Sequence, residues 1–492
     1  MKDLREKTIR GGSARIAAQG ASLIVRVGSM MVLARLLSPR DFGLVGMVTA
    51  FTGVLGLFRD FGLSAASVQR ASVTEAQTST LFWINVLVGG ILTVVAATAA
   101  TVVASFYREP RLFWVTIVVA IGFLINGAGV QHSAILQRQM RFTALAFIDI
   151  LSLIVSAVIA IGMAKLGYGY WALVAMAVSL PLTGTLALWL TTTWVPGPPH
   201  WGEGIRSMMR FGGTMTLNGL VMYVASNFEK VLLGRFWGAE AIGIYGRAYQ
   251  LVRIPTDNLN SAVGEVAFAA LSRLQNDPDR LKRYFLKGYS LVVALTLPIT
   301  IACALFADDL ILVLLGPKWK NTAAIFRLLA PTILVYAIAN PLGWLLNSLG
   351  LVGRGLRISL AFAPFIIVGY AIGLPYGPNG VALAYSAVMI LWVVPFVAWA
   401  VRGTVISAWE ILMALIRPLG SVIVAAGFAY TVRYLCGPTL PAAPRLILEG
   451  SVLFVAYIAV LLLATGQRSI YIDIVRGMKR PLSAEEKSLA SA

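Results

Sequence analysis

SNFEKVLLGRFWGAEAIGIYGRAYQLVRIPTDNLNSAVGE, Ser226 to Glu265, places charges inside otherwise apolar sequence. At about 100° per residue, Arg247, Gln250, Arg253, Asp257, Asn258, Asn260, Ser261 and Glu265 share somewhat under half of a helical circumference. Ala248, Val252, Leu259, Val263 and Val266 fall opposite. One face is wet and the other greasy. An ionisable group at membrane depth costs roughly 3 kcal/mol or more unless it lines a cavity or finds a partner, so the stripe reads as a functional surface. Pro255 permits a kink beside it.

Composition supports that reading. The chain has 492 residues, 58% hydrophobic and 12% charged, with mean hydropathy +0.81, against about a quarter charged in soluble domains. The expected class is an all-α integral membrane protein. Net charge +19 would suggest nucleic acid in a soluble chain. Here Lys and Arg concentrate in the segments that alternate to one side, which puts both termini in the cytoplasm and accounts for most of the net charge without invoking nucleic acid or any other acidic partner. Cys303 and Cys436 lie in apolar surroundings and fit neither a disulfide framework nor a metal site. The basic start, MKDLREKTIRGGSAR, lacks a cleavable site behind a short apolar core, so the first span is expected to be retained.

Spans of about 20 apolar residues can be drawn fourteen times between residues 13 and 466. The expected organisation is a six-helix lobe over 1–192, a cytoplasmic linker over 193–210, a second six-helix lobe over 211–402, two additional spans over 403–466, and a cytoplasmic tail over 467–492. The linker is rich in Pro, Gly and Trp and reads as a hinge. Residues 273–287, RLQNDPDRLKRYFLK, form a basic cytoplasmic link, either solvated or lying on anionic membrane lipids. Asp308 and Asp309 read as two exposed acids on a short turn rather than a metal pair.

An internal repeat supports the two lobes. VLARLLSPRDFGLVG, Val32 to Gly46, matches LLGRFWGAEAIGIYG, Leu232 to Gly246, pairing Arg35 with Arg235, Gly43 with Gly243 and Gly46 with Gly246. Gly169 to Leu173 likewise resembles Asn379 to Leu383. Both repeats begin on the cytoplasmic side, so they are parallel, about an axis along the membrane normal. Within the first, Ser38 can cap a helix, Pro39 suits its first position and Asp41 completes a capping box. Arg35 and Arg235 end the preceding helices, where a cation complements the dipole, and read as architectural.

These words carry a family resemblance. LARLLSPRDFGLVG at Leu33 to Gly46, Asn227 and Glu229 ahead of LLGR at Leu232 to Arg235, IGIYGRAYQL at Ile242 to Leu251, Pro255, ALSRLQND at Ala270 to Asp277 and GPKW at Gly316 to Trp319 resemble the polysaccharide transporter family. These are repeat-unit flippases of the multidrug, oligosaccharidyl-lipid and polysaccharide exporter superfamily. Glu229 stands where the family has Asp more often, and Ala269 where it has Pro. The resemblance implies two pseudo-symmetric six-helix lobes around a central cavity, plus two C-terminal helices, in a bacterial inner membrane. The implied cargo is a polyprenyl diphosphate-linked oligosaccharide, moved by alternating access, with polymerase and chain-length machinery as partners. No cofactor is expected, and proton or sodium coupling is the implied drive.

A diphosphate in a partly desolvated cavity needs fixed cations, and arginine offers a planar fork to phosphate oxygens. Arg26, Arg59, Lys230, Arg247 and Arg253 are the candidates, on spans that line the cleft in the related fold. Arg26 and Arg247 have no acidic neighbour within a helical turn, whereas Arg253 and Asp257 are spaced to pair. Candidates for ion coupling are Asp60, Asp149, Glu229, Asp257 and Glu265. Asn227, Gln250, Asn258 and Asn260, with Asn126 and Asn218, can bond sugar hydroxyls, and Tyr223, Tyr245, Tyr249 and Trp237 can stack on sugar faces. Helix-to-helix bonding and interfacial belts are the competing roles. His132 reads as a polar helix-end residue.

Other functions fit less well. A membrane glycosyltransferase or polymerase needs a catalytic segment, and the loops are short. A cation-coupled drug exporter would favour carboxylates where the first span carries Arg26. A peptidoglycan-precursor flippase shares the cavity chemistry, and charge alone does not separate it.

Overall fold

The computed structural model describes residues 2–59, 74–199, 205–436 and 440–463; side chains are described from residue 19, except within 205–222 and 224–226 and at 261–262, 265–266, 269 and 436. Every regular element among them is helical. In order these are α1 (Lys2–Leu36), α2 (Pro39–Gly56), α3 (Glu75–Tyr107), α4 (Leu112–Arg138), α5 (Phe142–Lys165), α6 (Trp171–Thr192), α7 (Ile205–Arg273) and α8 (Pro278–Leu305). The short α9 (Ala307–Leu314) and a 3-10 turn at Pro317–Trp319 lead to α10 (Lys320–Leu329), α11 (Pro331–Ser348) and α12 (Val352–Gly373). A 3-10 turn at Leu374–Tyr376 precedes α13 (Gly377–Val401), α14 (Ala408–Cys436) and α15 (Ala442–Leu463).

Among the described residues, eight stretches are long and apolar enough to cross a membrane, or nine if the pair Pro317–Leu329 and Pro331–Ser348, bent by 45°, is one span. One of the eight, Val352–Val401, has 50 residues, enough for two crossings of about 20 each. Helix α7 runs for 69 residues and breaks at Gly238, whose φ of 80° and ψ of −172° suit a residue without Cβ. The helix continues through Pro255. The break therefore falls at the glycine between the two expected spans.

The chain forms two compact units, one of residues 1–249, 314–325 and 359–385, the other of 250–313, 326–358 and 386–492. In the first, the predicted capping box starts α2. Ser38 Oγ accepts from the Asp41 amide at 3.3 Å, and Asp41 Oδ2 accepts from the Ser38 amide at 2.9 Å, with Pro39 at the first helical position. Helices α3 and α4 pack closely because Gly89 and Gly127 lie against backbone carbonyls of Phe123 and Asn85.

The two copies of the repeat meet each other. A Cβ on Gly43 would lie 1.6 Å from the Ala239 carbonyl oxygen, and one on Gly243 would lie 1.9 Å from that of Pro39. Positions 39 and 43 correspond to 239 and 243 under the 200-residue offset, so the contact is reciprocal, as a twofold-related pair requires. Beside it, Trp319 packs edge-on against Phe42, centroids 5.2 Å apart. Arg235 lies 5.9 Å from the rings of Phe106 and Phe236, consistent with an architectural role.

In the second unit Leu281, Phe285, Tyr289, Val293 and Leu297 recur every four residues on α8. They join Leu342, Leu345 and Leu346 of α11, Val422, Ala425 and Ala429 of α14, and Leu453, Tyr457 and Leu461 of α15 in one core. The Tyr457 hydroxyl donates to the Ala294 carbonyl at 2.8 Å. Asp309 departs from expectation. Instead of an exposed turn, it sits in α9 at 1% exposure, ion-paired with Arg445 and 3.7 Å from Arg433. These partners come from α14 and α15, distant in sequence, so no local pattern announces them. Asp308 pairs with Arg327 at 2.5 Å. Cys303 is buried and free.

Candidate functional site

A cavity of about 870 Å³ lies within the first unit, walled by α1, α2, α4, α5 and α6 with Tyr223 of α7. The walls from α4 and α5 are helical stripes. On α4 the lining residues Gly122, Asn126, Gly129, Ser133 and Gln137 step by three or four; on α5 they are Leu145, Ile148, Asp149, Ser152 and Leu153. The volume falls in the range of about 300–1,000 Å³ usual for ligand pockets.

The charges are unevenly distributed. Arg26 from α1 and Arg59 from the end of α2 face the cavity, with Asp149 from α5 as the one carboxylate among the described lining residues. Arg59 Nη1 lies 3.5 Å from Asn126 Oδ1, and Asn126 Nδ2 donates to the Gly122 carbonyl at 2.8 Å, orienting the amide. The Tyr223 hydroxyl donates to the Thr49 carbonyl at 3.2 Å. Thr49, Thr52, Ser133, Gln137, Ser152 and Thr185 supply uncharged polar groups. Such a set can hold an anion through the guanidinium groups and hydroxyls of a ligand through the remainder.

The structure brings together only some of the candidates. Lys230 is not on the cavity lining; its Nζ donates to Asn227 Oδ1 at 2.6 Å, which accounts for both side chains locally. Neighbouring Glu229 is 1% exposed, and neither of its carboxylate oxygens has a hydrogen bond among the described residues. Arg247 packs its guanidinium over the Phe42 ring, 4.7 Å from the centroid, near the repeat contact rather than on the cavity.

In the second unit Arg253 and Asp257 form the predicted pair at 2.8 Å, and Arg253 also lies over Tyr336 at 5.0 Å. Asn258 bonds back to the Ile254 carbonyl at 2.7 Å, and Asn260 accepts from Trp344 at 3.0 Å. Gln250 is exposed. Asp60 and the side chains of Asn218, Ser261 and Glu265 lie outside the described residues. His132 is fully buried rather than a polar helix end, with Nδ1 2.7 Å from Thr192 Oγ1 and its ring 4.5 Å from Trp189. Sequence reasoning passed over Ser133, Gln137, Ser152 and Thr185; for Ser133 and Gln137 a usable signal lay in the three-and-four spacing of small and polar residues on α4.

The polysaccharide biosynthesis protein family matches residues 32–324. The teichuronic acid biosynthesis protein TuaB of Bacillus subtilis strain 168 is 31% identical over 332 residues, covering 66% of this chain and 64% of that protein. The chain thus spans just under two thirds of that relative. The lipopolysaccharide biosynthesis protein WzxC of Escherichia coli strain K12 is 24% identical over 426 residues, covering 82% and 85% of the two chains. Among solved structures, the lipid II flippase MurJ in an inward closed conformation gives a TM-score of 0.74 over 91% of this chain and 98% of its own, at 13% identity. At that identity the likeness establishes the fold alone.

Proposed function

The chain belongs to the polysaccharide biosynthesis protein family, and on that premise we propose that it is a flippase for polyprenyl diphosphate-linked oligosaccharide repeat units. The observation that carries the reading is the cavity: two arginines, Arg26 and Arg59, beside an uncharged polar wall. A diphosphate diester carries two negative charges that the guanidinium groups can fork, and the amide and hydroxyl groups suit sugars. The lipid tail remains in the bilayer, where burial of each methylene is worth about 0.8 kcal/mol.

The full proposal has fourteen crossings in two parallel six-helix repeats plus two terminal helices, both ends cytoplasmic in a bacterial inner membrane. Movement is from cytoplasmic to periplasmic leaflet by alternating access, without catalysis, delivering cargo to polymerase and chain-length machinery. A cation exporter is disfavoured because the described lining carries two fixed cations and one carboxylate. A peptidoglycan-precursor flippase handles the same lipid diphosphate and differs in the headgroup, which carries a peptide as well as sugars.

The test is the leaflet location of lipid-linked oligosaccharide in cells lacking this protein, with repeat-unit synthesis intact. Accumulation of unpolymerised units on the cytoplasmic face, reversed by restoring the gene, supports the reading. Normal translocation refutes it.

A further inference from the structure

Four turns and the break in α7 gather cations at one end of the first unit. Residues 35–41, 107–111, 165–170, 235–240 and 316–320 hold eight bases and three acids, a net charge of +5. These segments meet one another. Arg40 Nη2 lies 3.4 Å from Glu109 Oε2, and the Arg111 guanidinium is 5.9 Å from the Tyr170 ring. A Cβ on Gly169 would lie 3.4 Å from Asp41 Oδ1. Arg235 packs on Phe106, and Lys318 donates to the Arg35 carbonyl. The Trp237 indole adds the turn Leu374–Tyr376 to the same face by donating to the Leu374 carbonyl at 2.8 Å.

Two of the acids are already engaged, Asp41 in the capping box of Ser38 and Glu109 with Arg111 and Arg40. Arg108, Lys165 and Lys320 are exposed, with no ion-pair partner among the described residues. Three aromatic side chains stand out of the same surface, Tyr168 at 56% exposure, Trp237 at 48% and Tyr376 at 77%. The overall charge bias that sets the termini in the cytoplasm puts this face outward, on the side where Lys and Arg are ordinarily sparse. So large a local excess of cations there needs an anionic partner to account for it.

We propose that this outward face of the first unit binds a carboxylate-bearing saccharide, so that the cargo's repeat unit contains an acidic sugar. The proposal rests on the transporter reading and topology given above. The cations supply attraction to carboxylates, and the exposed rings offer flat amphipathic surfaces to sugar faces. Anionic lipid headgroups fit less well, because they gather around the perimeter of a membrane protein, whereas these turns meet across the helix ends. A saccharide held outside after release favours the outward leaflet by mass action.

The experiment titrates fluorescent oligogalacturonate into purified full-length protein in phosphatidylcholine nanodiscs, beside its methyl ester and polyglutamate. Wild type is expected to bind the acidic oligomer, more weakly as salt rises, and to bind the neutral ester at least about tenfold less tightly. A triple variant, Arg108→Gln, Lys165→Gln and Lys320→Gln, is expected to lose about tenfold or more at unchanged melting temperature. Tyr168→Ala with Tyr376→Ala is expected to weaken binding of the saccharide and not of polyglutamate. Arg283→Gln with Lys287→Gln, exposed cations of α8, is expected to change neither. Lys320→Cys, in a background lacking both natural cysteines, is expected to react with an impermeant maleimide added to spheroplasts.

No binding of oligogalacturonate, or equal binding of its ester, overturns the proposal. Equal loss from the α8 pair means a response to net charge alone and overturns it too, as does a tyrosine pair that weakens both polyanions alike. Labelling of Lys320→Cys in inverted vesicles only overturns the outward placement. None of these results bears on whether lipid-linked units change leaflet, which the cell experiment above decides separately.

Discussion

The indole Nε1 of Trp319 donates to the carbonyl oxygen of Ala34 at 2.8 Å across 285 residues of sequence. Lys318 Nζ donates to the neighbouring carbonyls of Arg35 and Leu36 at 3.2 and 3.4 Å. Carbonyls in the last turn of a helix have no intrahelical donor, and here the GPKW segment supplies donors to the end of α1. Trp319→Phe keeps an aromatic edge toward Phe42 but removes the donor. Leaving a buried carbonyl unmet should cost about 1–3 kcal/mol, whereas Trp319→Ala adds a cavity and should cost about 3–5 kcal/mol. Thermal unfolding in detergent measures both; a Phe variant as stable as wild type would assign the contribution to packing alone.

The reciprocal contact at Gly43 and Gly243 makes a graded prediction. An added Cβ at either position collides with backbone carbonyl, at 1.6 and 1.9 Å, which cannot move aside as a side chain can. At Gly46 the nearest atom is the Cγ2 methyl of Ile242 at 2.7 Å, a side chain with some freedom to shift. Gly43→Ala and Gly243→Ala should therefore separate the two repeats, and Gly46→Ala should be milder. Spin labels on the two repeats, near Arg40 and Glu240, should report a longer distance for the first two variants than for the third. Equal distances in all three would mean that the crossing relaxes without separating.

Much of this architecture was legible because it follows from local pattern. The capping box at Ser38 and Asp41 needs only four residues, and the repeat offset survives as matching glycines because backbone contact leaves no room for a side chain. The Arg253 to Asp257 pair follows from helical spacing. Long-range partners were not legible. The bonds from Trp319 to Ala34 and from Arg445 to Asp309 join segments that no periodicity relates. The candidate site was half legible for the same reason. Arg26, Arg59 and Asp149 stood out as charges in apolar runs, but Arg247 stood out equally and lies over Phe42 instead. A charge in a greasy helix signals that it must be satisfied, without saying whether by a cavity or by an aromatic ring.

Export should separate those two kinds of arginine. Arg26→Ala and Arg59→Ala remove cavity cations and should reduce export of repeat units at least tenfold. Truncating a charged contact to a buried ligand costs about 2–5 kcal/mol, and about 1.4 kcal/mol is tenfold. Their insertion and thermal stability should stay near wild type, since both side chains face the cavity. Arg247→Ala should lower both stability and export because its guanidinium packs on Phe42. Arg247→Lys retains a cation over the ring and should recover part of each. The measurements are polymer yield and melting temperature for each correctly inserted variant. Wild-type polymer from Arg26→Ala would remove that residue from the cargo site.

Acid should expose a different contribution, in the turn between α3 and α4. Arg111 donates to Glu109 through Nε at 2.8 Å and Nη2 at 2.7 Å, and Arg40 from the start of α2 approaches at 3.4 Å. Hydrogen bonds from the Arg111 side chain hold the Glu109 carboxyl below its ordinary range, and partial burial opposes them. A carboxyl depressed in the folded state stabilises the fold fully above its unfolded pKa of about 4.3, and that contribution is lost as pH falls through the folded value. Wild type should therefore be more stable than Glu109→Gln at neutral pH, with no change in the gap between about pH 8 and 6 and a narrowing gap below about pH 4. Melting temperatures of the two proteins across that range provide the check. A gap that persists unchanged into strong acid would mean that the turn is held by geometry common to Gln and Glu, with the charge contributing nothing.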